Sequence, residues 1–168
     1  MILRAAYATR GRGGLGRAKG ARYVIHRPSD TVAREYRTGF DADYDRMEKD
    51  EVYDRLEAAD GTYFYRLTLA PGEGRHVETD LHDWTRRVMD RLEERAGDCD
   101  WIAWEHRDHS HHDHVHVIAV LDRRLDRDDL RDLREHADEV WQRERERRRD
   151  PLAAELERFQ DRDLGRDY

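Results

Sequence analysis

Two apolar runs joined by a short polar link constrain this chain more than any other feature. The first, Trp101-Ile102-Ala103-Trp104, closes on Glu105-His106, and the second begins His114-Val115-His116 and continues Val117-Ile118-Ala119-Val120-Leu121. Runs of this length, rich in β-branched and aromatic residues, read as strands. The link between them, built from Arg, Asp, His and Ser, reads as the turn of an antiparallel hairpin. Side chains alternate between the faces of a strand, so His114 and His116 share one face. With His106 at the end of the partner strand, three imidazoles reach one point, which is the ligand number of an open catalytic metal site.

Six of the ten histidines fall between Glu105 and Val117. His109, His111 and His112 read as solvated turn residues, and His76 and His82 as solvated positions elsewhere. Asp108 and Asp113 stand where either can accept the second ring N–H of a ligand histidine and so fix its tautomer.

Elsewhere the pattern supplies a small α+β frame. Residues 1–7 alternate weakly and predict a short strand. A basic loop follows from Gly11 to Gly20; it has no Gly-Lys-Ser/Thr ending and is not a Walker loop. Ala21 to His26 reads as a short structured piece ended by Pro28, and a helix is expected from about Glu48 to Ala59. Thr62 to Ala70 is the clearest strand, with Tyr63, Tyr65, Leu67 and Leu69 on one face and Phe64, Arg66 and Thr68 on the other. Thr79 or Asp80 caps a helix carrying Leu81, Trp84, Val88 and Leu92 at helical spacing, and Gly97 ends it. A second amphipathic helix starts near Arg127, with Leu130, Leu133, Ala137, Val140 and Trp141 on one side; Pro151 breaks it before a short helix at Leu152, Leu156 and Phe159. The expected class is α+β: a central antiparallel sheet, helices packed on one face, and the three-histidine site on the other. Residues 1–125 form the core with its basic N-terminal arm, and residues 126–168 a helical extension packed on it.

Charge decides which partners to consider. Charged residues make up 42% of the 168, enough to demand an economical core, and the formal net charge is −7. Residues 1–37 run against that total: Arg4, Arg10, Arg12, Arg17, Lys19, Arg22, Arg27, Arg34 and Arg37 face only Asp30 and Glu35. A basic arm on an acidic body suits a local polyanion site. Cys99 is the single cysteine, so no disulfide framework or cysteine zinc motif is expected, and a reducing, cytoplasmic setting is the simplest inference. No apolar run is long enough for a membrane span.

At these residues the chain resembles the HUH endonuclease superfamily, in particular plasmid mobilisation relaxases. The segment Trp104-Glu105-His106-Arg107-Asp108, the His-rich turn and His114-Val115-His116-Val117-Ile118 carry the likeness, supported by the strand Tyr65 to Leu69 with Pro71-Gly72 and the helix before the motif. The turn between Asp108 and His114 is one residue longer than the family's commonest form. The resemblance implies a divalent ion, Mn²⁺ or Mg²⁺ with Zn²⁺ also accepted, on His106, His114 and His116, and a tyrosine that attacks a DNA phosphodiester. Tyr23, in Lys19-Gly20-Ala21-Arg22-Tyr23-Val24-Ile25-His26-Arg27, is the expected nucleophile, with Tyr7 and Tyr36 as alternatives. Glu35, Asp108 or Glu105 would serve as base. Lys19, Arg22, Arg27, Arg66 and Thr68 would contact single-stranded DNA at a nick site, and Tyr36, Phe40 or Phe64 would stack on bases. Accessory mobilisation or replication proteins are the expected partners. Readings left open are a rolling-circle replication initiator of the same superfamily, a small zinc hydrolase, and a non-catalytic metal-stabilised DNA-binding module.

Overall fold

Apolar alternation along the strands builds the molecule outward from its sheet. The computed structural model describes residues 2–9, 38–72, 80–107 and 112–149. In chain order these form β1 (Ile2–Thr9), α1 (Lys49–Ala58), β2 (Tyr63–Ala70), α2 (Leu81–Ala96), β3 (Asp100–His106), β4 (His114–Leu121) and α3 (Arg127–Arg149). The strands pair antiparallel in the order β1-β2-β4-β3. The expected α+β class with an antiparallel sheet holds. The basic loop, the Ala21–His26 piece and the segment after Pro151 lie outside the described residues.

One face of the sheet presents Leu3, Tyr65, Leu67, Leu69, Val115, Val117, Ala119, Leu121, Trp101 and Ala103 to α2 and α3. Helix α2 answers with Leu81, Trp84, Val88, Met89 and Leu92, and α3 with Leu133, Ala137, Val140 and Trp141. Trp84 ties the two helices together, since its indole N–H donates to the Ala137 carbonyl at 3.1 Å. The α3 residues therefore belong to the same core as the sheet. Beyond them the helix runs unbroken to Arg149 through a polar stretch whose side chains up to Arg148 are exposed or half-buried.

The opposite face is divided. Phe64, Ile102, Trp104, Ile118 and Val120 are buried there beneath Val52 and Leu56 of α1, with Met47 and Ala59. Helix α1 is thus the one described helix on this side, and the cause is legible in β4. Val117 to Leu121 is continuously apolar, which marks a strand buried on both faces. The histidine end of the same face has no helix over it among the described residues.

Local chemistry fixes the element ends. The Asp80 carboxylate accepts from the backbone of His82 and Asp83, both at 3.0 Å, capping α2. At the other end Gly97 takes φ 88°, a left-handed conformation that favours glycine. Helix α3 starts on Asp126, whose carboxylate accepts from Asp128 and Asp129 at 2.8 and 2.9 Å. Along the outer edge of β3, Phe40 and Ala103 exchange backbone hydrogen bonds at 2.9 and 2.8 Å. The preceding residue is closely enclosed: a Cβ on Gly39 would lie 3.1 Å from Ile102 and 3.2 Å from Val52.

Candidate metal centre

His106 closes β3, His114 opens β4, and the two stand directly opposite in register. His116, two residues on, shares their face and pairs with Trp104 on one side and Thr68 on the other. One ring nitrogen from each histidine lies within 4.8 Å of the others, and no further group of this kind occurs among the described residues. Ring centroids are 4.6 to 5.0 Å apart. His106 is buried at 4% exposure, while His114 and His116 are half-buried and face the open end of the sheet.

The second nitrogens settle how the rings are held. Nδ1 of His114 lies 3.1 Å from the His112 carbonyl. A carbonyl only accepts, so that nitrogen carries the proton and Nε2 keeps its lone pair. Nδ1 of His116 lies 3.2 Å from the Thr68 hydroxyl. A backbone carbonyl and a threonine hydroxyl thus lie against Nδ1 of these two rings. Asp113 is buried at 1% exposure, with its carboxylate 3.7 Å from Arg107, tying the turn to the end of β3.

Three imidazoles, each offering one ring nitrogen when neutral, form a donor set that fits a borderline ion. Tetrahedral ligands at about 2.1 Å from a metal stand about 3.4 Å apart, so small side-chain rotations bring the three nitrogens to bonding distance. Such a donor set suits Zn²⁺ or Mn²⁺ better than Mg²⁺, which prefers oxygen.

Several expected residues find other roles. Arg66 is exposed on the histidine face, as anticipated. Thr68 is on that face too, hydrogen-bonded to His116. Tyr7 is on the wrong face to be a nucleophile: it packs against Tyr65 at 5.5 Å on the helix side, and the sheet separates it from the histidines. Glu105 also points to the helix side, away from the three histidines, where Arg107 and His82 contact it. Phe40 (1% exposed) and Phe64 (6%) are core residues and unavailable to stack on bases. His82 is not simply solvated; its ring stacks on Phe40 at a 3.7 Å centroid distance. Tyr23, Lys19, Arg22, Arg27, Glu35, Tyr36, Asp108, His76, His109 and His111 lie outside the described residues.

Sequence reasoning missed Arg4 as part of this surface. It is exposed on the histidine face, opposite Thr68. Alternation sets Arg4 on the face opposite Leu3, but which of the two faces carries the histidines follows only from the pairing of β1 with β2.

Fold and site together define an α+β protein with a three-histidine group able to hold a metal ion. No family model matches the chain, and no curated protein matches it in sequence. Among the described residues no helix is long and apolar enough to cross a membrane.

Proposed function

We propose that this chain is a metal-dependent endonuclease and strand transferase for single-stranded DNA, of the HUH type, acting in plasmid mobilisation or conjugative transfer. The observation that carries the reading is the convergence of His106, His114 and His116 on the open end of a sheet face. Arg4 and Arg66, exposed on that face, add cationic groups suited to a phosphate backbone.

Tyr23 is the proposed nucleophile. Its phenol, with an ordinary pKa of about 10, loses its proton, and the oxygen attacks the scissile phosphorus. The new bond joins the tyrosine oxygen to phosphorus, the bond from phosphorus to the 3′ oxygen breaks, and a proton returns to that oxygen. The products are a 5′-phosphotyrosine and a free 3′-OH. A divalent ion bound by the three histidines would supply Lewis-acid stabilisation of the charge that develops on the phosphate oxygens. Glu35 and Asp108 remain the proposed bases. Lys19, Arg22 and Arg27 are proposed to hold the backbone beside Tyr23.

Incubating the protein with a randomised pool of single-stranded oligonucleotides and Mn²⁺ tests this. A protein–DNA adduct that resists denaturant, requires the ion and disappears in Tyr23→Phe is the expected result. An adduct persisting in Tyr23→Phe would move the nucleophile elsewhere. Complete absence of adduct, with DNA binding retained, would favour a non-catalytic module.

A further inference from the structure

We propose that Thr68 is a positioning residue of the three-histidine centre: its hydroxyl accepts the Nδ1–H of His116 and holds that ring with its Nε2 lone pair turned toward His106 and His114. The inference rests on the reading of the triad as a metal site. It gives Thr68 a role other than contacting DNA.

Geometry and chemistry both point this way. Thr68 and His116 are directly opposed on the two central strands, with Oγ1 and Nδ1 3.2 Å apart. Opposed side chains on an antiparallel pair are each other's nearest neighbours on that face. A neutral imidazole carries one proton, so a proton on Nε2 would leave His116 with no lone pair for the centre. At 3.2 Å the hydroxyl, which can donate or accept, takes the Nδ1–H in the tautomer that leaves Nε2 to the centre. Threonine suits the task because its branched Cβ restricts χ1 and fixes the direction of the oxygen. The other half-buried ring is met at Nδ1 by main chain, the His112 carbonyl. At the centre one ring thus meets main chain and another a replaceable hydroxyl.

Two measurements decide it. The first uses ¹⁵N-histidine correlation spectra of the metal-free protein at about pH 8, where ordinary imidazoles are neutral. The second is a Mn²⁺ titration of the wild type, Thr68→Val, Thr68→Ser and Thr68→Ala. In the wild type His116 should carry its proton on Nδ1. Thr68→Val, which keeps the shape and loses the hydroxyl, should lose that single tautomer and bind Mn²⁺ about 10-fold or more weakly, the usual cost of removing such a partner. Thr68→Ser should restore both properties, and Thr68→Ala should behave as Thr68→Val does. A wild-type proton on Nε2 would overturn the proposal, as would a folded Val or Ala variant that binds Mn²⁺ as tightly as the wild type. If the wild type bound neither Mn²⁺ nor Zn²⁺, the metal reading itself would fail, while the tautomer measurement would still decide the role of Thr68.

Discussion

Arg66 shows how a single residue on the open face can be tested apart from the chemistry. It is exposed, two positions from Thr68 on β2, and shares the face of the three histidines. A lone guanidinium meeting a phosphate contributes mainly through counterion release. Arg66→Ala should therefore weaken binding of single-stranded DNA at low salt and reduce the slope of log K against log salt by about 0.7. Anisotropy titrations across salt concentrations read that slope directly; an unchanged slope would remove Arg66 from the interface. The histidines themselves were legible because strand alternation and spacing are properties of the sequence. Which atom holds each ring was not, since Thr68 meets His116 only through the strand register, and the His112 carbonyl leaves no trace in residue identity.

Among the elements, α2 carries the most legible boundaries: Asp80 before the first apolar position and Gly97 after the last. Removing the cap in Asp80→Ala frees two backbone N–H groups and should cost about 1 kcal/mol of stability, measured by urea denaturation. The site should feel little of this directly, because α2 packs on the face away from the histidines. Helix α1 was expected as an element, yet its place was not. Its apolar residues Val52 and Leu56 are too few to choose a face, and only the assembled sheet, with Ile102, Ile118 and Val120 in need of cover, assigns one. Tyr7 illustrates the same limit, since deciding which side of β1 faces the histidines required its pairing with β2.

For the whole molecule, packing of α2 against α3 is reinforced by ion pairs at its margin. Asp129 is buried at 4% exposure, and Arg123 grips it at 2.6 and 3.0 Å while Arg95 approaches to 3.3 Å. The Arg123 hydrogen bond is the main cause that holds the Asp129 carboxyl down to about 2, below the usual carboxylate range. A carboxylate whose pKa is lowered on folding stabilises the folded state above the unfolded pKa, and that stability is lost as pH falls through the folded pKa. Thermal denaturation should thus show Asp129→Asn less stable than wild type by about 1–2 kcal/mol at pH 7, allowing for the screening of the partly exposed arginines. The gap should narrow between about pH 4 and pH 2 as the wild-type carboxylate protonates. An equal gap at both extremes would show that charge is not the source. Such pairing also shows how a chain so rich in charge can still close a core: Arg87, Arg91 and Arg95 of α2 meet Glu144, Asp132 and Asp129 of α3.

The two-residue bridge from Phe40 to Ala103 bears on how many copies of this chain can coexist at high concentration. An uncovered outer strand offers a row of donors and acceptors on which another molecule can add its own strand and polymerise. By occupying the outward-facing backbone groups at the middle of β3, Phe40 interrupts that row and leaves no continuous template on this side. A single short contact thus protects the strand that carries His106 from being recruited into a fibre.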